Sequence, residues 1–198
     1  LKNKVLSFLF LYFLLFQILP GQKLEFRKIT MEEGLSHNSV LCLLEDHDGI
    51  MWIGTRGGLN KYNGIETQVY EYSLNDSLSL SNNHVNCLFE TSKQELWIGT
   101  ANGLNRYLPT KDGFNSFFVA TDSTGISNRY VKCITETEKG EILVGTSNGL
   151  NLYSPESNSF EHLFIKEPPT YSNNIISLFA DDEGRIWVGT KGGLYLMA

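Results

Sequence analysis

Apolar and polar positions along this chain alternate with a period near two, and turn residues interrupt the alternation too often for helices of ordinary length. Four segments repeat one design: SHNSVLCLLEDHDGIMWIGTRGGLNKY from Ser36, SNNHVNCLFETSKQELWIGTANGLNRY from Ser81, SNRYVKCITETEKGEILVGTSNGLNLY from Ser127 and SNNIISLFADDEGRIWVGTKGGLYLM from Ser172. Their leading serines lie 45, 46 and 45 residues apart, the regular spacing of a repeat architecture. A first strand is predicted at Val40–Glu45, with counterparts at Val85–Glu90, Val131–Glu136 and Ile175–Ala180. A hairpin turn follows, closed by Gly49 in the first copy and Gly184 in the last, because glycine adopts the positive φ that tight loops require. Gln94 replaces this glycine in the second copy and predicts a turn of different shape there.

The second strand carries Trp52, Trp97 or Trp187, with Leu143 standing in once, and each is followed two residues later by Gly54, Gly99, Gly189 or Gly145. A large flat side chain beside a bare backbone suits close packing of sheets, one filling space and the other making room. A threonine follows each of those glycines. A second turn ends at Gly58, Gly103, Gly149 or Gly193 and opens a third strand of the type Leu59–Tyr62. A fourth, aromatic-rich strand is expected around Val69, Tyr70 and Tyr72, around Phe114, Phe117 and Phe118, and around Phe160, Leu163 and Phe164.

Four short antiparallel strands in about 45 residues make the blade of a β-propeller, so the fold class expected is all-β, with about four blades over residues 22–198. Apolar neighbours such as Leu43 and Leu44 fit a sheet covered on both faces. Ahead of the first complete repeat, residues 24–30 read as a spare fourth strand, while the last copy reaches Ala198 just after its third. Two arrangements follow: a four-bladed ring closed by that N-terminal strand, or the front of a longer propeller. The expectation favours the second.

Residues 1–21 change the picture of the compartment. Lys2 and Lys4 precede a nearly continuous apolar run over residues 5–19, and Gly21 is a small residue suited to cleavage, the pattern of a secretory signal peptide. The run is shorter than the ~20 residues needed to span a bilayer. Twenty-two acidic residues outweigh sixteen basic ones, giving a net charge of −6, and loss of the leader makes the rest two units more negative. An acidic chain without basic clusters is a poor partner for nucleic acid or an anionic membrane. Cys42, Cys87 and Cys133 stand at one place in three successive copies, with Ser177 in the fourth. A whole repeat separates them, more than the ~7 Å between Cα atoms that a disulfide tolerates, so they read as small core residues. No second ligand at zinc-like spacing accompanies them, and neither a metal nor a cofactor is expected.

The signature V-x-x-(L/I/F), then D/E-x-G-x-(I/L)-W-(I/V)-G-T-x-x-G-L-(N)-x-Y, resembles the two-component regulator propeller repeat and extends over nearly all of residues 22–198. The resemblance implies a periplasmic sensor upstream of a histidine kinase, often detecting oligosaccharides released from polysaccharides. This chain has few repeats and carries no phosphoacceptor histidine motif, ATP-binding glycine box or second membrane segment, so the kinase is expected as a downstream partner region.

Propeller loops that leave the fourth strand, and those joining the second strand to the third, open on one face, where variation between copies creates function on a constant scaffold. Ser39, His84, Tyr130 and Ile175 stand before the first strand, and Arg56, Ala101, Ser147 and Lys191 follow the Gly-Thr pair. Arg56, His84, Tyr130 and Lys191 are the candidate ligand-binding residues. Arg56 and Lys191 would donate hydrogen bonds to hydroxyl or carboxylate oxygens, and Tyr130 would stack on a sugar face. His37, His47 and His162 read as solvent-facing residues. The turn-to-Trp pattern also loosely resembles the aspartate boxes of sialidases, but those are structural. The arginines, at 27, 56, 106, 129 and 185, are spread over different repeat positions, so no catalytic residues are assigned. A protein-interaction or dimerisation platform, with a second copy of the chain as partner, is the alternative role.

Overall fold

The computed structural model describes residues 24–165 and 173–197, and the expected leader at residues 1–21 lies outside them. Among the described residues, fifteen strands form four antiparallel sheets. The first holds β1 (Val40–Glu45), β2 (Met51–Thr55), β3 (Leu59–Tyr62) and β4 (Thr67–Tyr70). The second holds β5 (Val85–Glu90), β6 (Leu96–Thr100), β7 (Gly103–Leu108) and β8 (Gly113–Phe117). The third holds β9 (Val131–Glu136), β10 (Ile142–Thr146), β11 (Gly149–Ser154) and β12 (Ser159–Leu163). The fourth is β13 (Ile175–Ala180), β14 (Ile186–Thr190) and β15 (Gly193–Met197). The first strands β1, β5, β9 and β13 lie side by side along the inner edges of the sheets, as the blades of a propeller require.

Indoles and aromatic residues hold each sheet to the next. Trp52, Leu59 and Tyr70 pack on Leu80, Leu96 and Phe114 of the second unit, and Trp97 and Phe117 pack on Tyr153 and Phe160 of the third. Burying each such side chain contributes about 1.5–3 kcal/mol. Leu143 takes the place of the indole between the third and fourth sheets, with Leu150 against Ile175 and Val188. The glycine of the second strand makes room for a different neighbour from the one expected. A Cβ on Gly54 would meet Val85 Cγ1 of the adjacent sheet at 2.7 Å and the Cys42 sulfur of its own. Gly99 faces Cys87 and Val131 in the same way, and Gly145 faces Cys133 and Ile175. The glycine therefore admits the first strand of the next blade, not the indole.

A polar lock explains the rest of the repeated signature. Asn60 Oδ1 accepts from the Ser36 N–H at 2.7 Å, while its Nδ2 donates to Ser36 Oγ and to the Ile53 carbonyl, each at 2.9 Å. Thr55 Oγ1 donates to the Gly58 carbonyl at 3.0 Å and accepts from the Gly57 N–H at 3.0 Å. Ser81, Thr100 and Asn105 repeat this set, and Ser127, Thr146 and Asn151 repeat it except that Ser127 Oγ donates to the Asn148 carbonyl at 3.0 Å. Buried polar groups need such partners, so the serine, the Gly-Thr pair and the Gly-Leu-Asn element are structural.

Several expectations are corrected. Gln94 adopts φ 64°, beside 77° for Gly49 and 75° for Gly184, and its N–H donates to the Thr91 carbonyl at 2.9 Å as Gly49 does to Asp46. The turn keeps one shape, and the glutamine adopts a left-handed conformation that costs about 1–2 kcal/mol. Residues 24–30 form no strand and do not pair with β15: Phe26 is 94% exposed, and the fourth sheet has three strands among the described residues. The fourth strands also stop earlier than expected, leaving Tyr72, Phe118 and Phe164 exposed beyond them. Trp187 is only half-buried, because no further sheet covers the outer face of the fourth among the described residues, and Leu43 on the open face of the first is 63% exposed. The cysteines are free and half-buried, and desolvation pushes the thiols of Cys42 and Cys133 up to about 12.

Candidate functional site

Each β-bulge in the inner strands sits at the start of that strand. The register slips between Val40 and Cys42, between Val85 and Cys87, beside Val131 and Cys133, and between Ile175 and Ser177. A bulge leaves one residue outside the ladder and re-aims its side chain. The residues so placed are Leu41, Asn86, Lys132 and Ile176, polar in the two middle sheets. Asn86 Nδ2 donates to the Val131 carbonyl at 2.8 Å, and Lys132 Nζ donates to Asn174 Oδ1, each reaching the next blade.

The variable loop residues are pinned beside these bulges by backbone hydrogen bonds. The Arg56 N–H donates to the Ser39 carbonyl at 3.2 Å, Ala101 to His84 at 3.0 Å, Ser147 to Tyr130 at 3.0 Å and Lys191 to Asn174 at 3.1 Å. The fourth pair corrects the sequence assignment. The last copy has one residue fewer before its strand, so Asn174 is the rim residue, while Ile175 begins β13 and is fully buried.

The four candidate residues fall on one arc. The rings of His84 and Tyr130 lie 6.4 Å apart at 64°. Partial burial, then the charge of Arg56, lowers the pKa of His84, which puts Arg56 near its ring. Burial and then the charge of Lys191 lower the pKa of Lys132, so these two ammonium groups share the other end. Arg56 and Lys191 are exposed and His84 and Tyr130 half-buried. Neither Arg56 nor Lys191 makes an ion pair among the described residues. Lys132 was missed in the sequence because it lies inside a predicted strand, and only the bulge turns it toward the loops. An arc with free donors, a ring edge and cationic ends can bind hydroxyl and anionic groups.

A cavity of about 450 Å³ opens on the opposite, turn-bearing face between the first and second sheets. Its charges are already matched: Lys61 lies 5.4 Å from the ring centres of Trp52 and Tyr107, Arg106 pairs with Glu95 at 3.6 Å, and His47 Nδ1 meets Glu90 at 2.6 Å. The Glu90 hydrogen bond raises the pKa of His47, against an opposing desolvation and with the help of the nearby acids Asp48, Glu90 and Asp46. His162 is also engaged, its Nε2 meeting the Gly125 carbonyl at 2.8 Å. Among the described residues no cluster of three His, Cys, Asp or Glu side chains is placed to hold a metal. Nor is any helix there long and apolar enough to cross a membrane.

Radial sheets of three or four strands, with inner-strand bulges and a variable loop face, define a β-propeller. The sequence model of the two component regulator propeller family matches three segments of the chain, residues 34–57, 79–102 and 172–192. The third copy, which carries Leu143 in place of tryptophan, lies outside the matched segments. Over 55 residues, 28% of this chain, it is 40% identical to histidine kinase P4 of Formosa agariphila, and it spans 4% of that protein. The chain superposes with TM-score 0.70 and 28% identity on a B. thetaiotaomicron structure described as the extracellular domain of the one component system BT4673, covering 86% of this chain and 23% of that one. A second structure of BT4673, described as part of a hybrid two component system, gives TM-score 0.67 at 27% identity over 83% and 22%. The extracellular domain of BT3049, also from B. thetaiotaomicron, shares the fold with TM-score 0.67 at 23% identity over 87% and 30%. This chain therefore spans less than a third of the length of each relative.

Proposed function

We propose that this chain is the ligand-sensing propeller of an exported two-component signalling protein, and that it recognises an oligosaccharide in the periplasm at the loop face. Residues 1–21 act as the cleaved leader, and the signal passes to a histidine kinase region outside these residues. The likeness to extracellular domains of two-component systems supports a sensor role. The observation that carries the ligand reading is the arc itself, where His84 and Tyr130 are edge to face and the side chains of Arg56 and Lys191 remain unpaired among the described residues. A sugar offers an apolar C–H face to an aromatic ring and hydroxyls to cationic donors, and backbone hydrogen bonds pin the loops that carry this set beside the bulged inner strands. Binding transmits a signal by favouring whichever state of the parent protein binds the ligand more tightly.

Titration of the purified chain with a panel of plant and algal oligosaccharides tests the reading. Saturable binding without turnover is expected, with Tyr130→Ala weakening it about tenfold. Turnover of the glycan, or binding unchanged in that variant, would remove the proposal. Binding to a polypeptide alone would assign the loop face to protein interaction instead.

A further inference from the structure

Lys132 is a half-buried ammonium on an inner strand whose one hydrogen-bond acceptor among the described residues is the neutral amide oxygen of Asn174. A partly desolvated cation without a counter-ion is unfavourable in the free protein and favourable once an anion arrives. Its charged neighbour at the loop face is a second ammonium, Lys191, and the matching neighbour of His84 is the guanidinium of Arg56. The ion pairs of the described residues all lie elsewhere, at His47, Arg106 and Arg185, leaving Arg56, Lys132 and Lys191 without a carboxylate. Exposed Arg129, whose carbonyl accepts from the Gly103 N–H at 2.8 Å, adds another cation to the same loops. All this occurs in a chain whose acidic residues outnumber its basic ones by 22 to 16. In such a chain, an arc of cations without a carboxylate partner is a local departure from the overall charge balance.

We infer that the loop face takes an acidic saccharide, a sugar bearing a carboxylate or sulfate, and that Lys132 binds its anionic group while His84 and Tyr130 receive the neighbouring ring. This rests on the loop face being the ligand site, and it adds the ligand's charge and a residue outside the original candidates. The bulge at Val131 and Cys133 fixes Lys132 on a rigid strand, whereas Arg56 and Lys191 approach from flexible side chains on the rim.

The test is calorimetric titration of the whole chain with three probes: a uronic acid trisaccharide, the same trisaccharide with its carboxyl groups reduced, and a sulfated neutral trisaccharide. At least one anionic probe should bind with a Kd below about 1 mM and at least tenfold tighter than the reduced sugar, the preference shrinking as salt rises. Lys132→Gln should weaken the anionic probe about tenfold and leave the reduced sugar unchanged, and Lys132→Arg should restore most of the loss. A thermal melt matching the parent protein shows that Lys132→Gln still folds, and Lys191→Gln gives a second reading of the charge dependence outside the strand. Equal binding of reduced and anionic sugars, or a Lys132→Gln variant that keeps its preference, overturns the charge inference while leaving an oligosaccharide sensor standing. Failure of all three probes to bind overturns both.

Discussion

Trp52 and Trp97 occupy the same place in successive sheets, yet only one has a partner for its indole nitrogen. Trp52 Nε1 donates to Asp46 Oδ2 at 2.7 Å, and Trp187 Nε1 donates to Asp181 Oδ2 at 2.8 Å. In each case the other carboxylate oxygen accepts turn N–H groups, those of Asp48 and Ile50 or of Glu183 and Arg185. Thr91 stands at this position in the second copy and uses its Oγ1 for the Glu95 N–H at 3.1 Å, so Trp97 Nε1 is buried without an acceptor. The missing bond can be added without altering the backbone, because the turn at Gln94 already has the shape of the turn at Gly49. Thr91→Asp is therefore expected to stabilise the chain by about 1 kcal/mol, raising the midpoint of thermal unfolding by a few degrees. Thr91→Ala, which supplies no acceptor and removes the Glu95 bond, should lower it. A Thr91→Asp protein that melts no higher than the parent would show that the orphaned indole costs nothing.

Between elements, one carboxylate ties the first sheet to the second. Asp112 closes the short 3₁₀ turn Pro109–Lys111 and accepts hydrogen bonds from Tyr70 Oη at 2.6 Å, Tyr107 Oη at 2.7 Å and Gln68 Nε2 at 2.7 Å. The Tyr70 and Tyr107 hydroxyls hold its pKa below the usual carboxylate value. A group with a lowered folded pKa contributes its stabilisation above the unfolded value, about 3.9, and loses it as the pH falls through the folded one. The parent protein should therefore lose stability to denaturant below about pH 4 more steeply than Asp112→Asn, with the two curves parallel near neutrality. Parallel curves throughout would mean that solvent screens the exposed carboxylate from both tyrosines. This clamp was not legible in the sequence, because Tyr70 and Gln68 lie 42 and 44 residues before Asp112, on the fourth strand of the preceding sheet. The first strands were legible to the residue, since their boundaries follow from alternation and turn glycines alone. The fourth strands were not: their aromatic residues continue past the last ladder bond, so hydrophobicity overran pairing at Tyr72, Phe118 and Phe164.

At the scale of the whole molecule the repeats make its stability local, because each sheet packs against its neighbours in the row. The same logic limited what could be read of the loop face. The variable positions after the Gly-Thr pairs were visible as differences between copies, but Asn174 was displaced by a one-residue deletion and Lys132 was hidden in a strand until its bulge was seen. Packing is unequal along the row. Tyr153, Ile142 and Val144 of the third sheet are buried against the second, while Leu143 of the same sheet is buried against the fourth, so the third is covered on both faces. The first exposes Leu41 and Leu43 on one face, and the fourth exposes Ile176, Phe179, Leu194 and Leu196. Amides open with free energies that follow local burial, so exchange with deuterated water should divide the chain into zones. Amides of β6 and β10 should exchange slowest, those of β2 at an intermediate rate and those of β14 fastest among the second strands, although all four are central or next to central in their sheets. Uniform protection across the four would mean that the row unfolds as one cooperative unit and that neighbour contacts do not set its stability. Slower exchange in β14 when the purified chain is concentrated would instead show that another copy covers the exposed face of the fourth sheet.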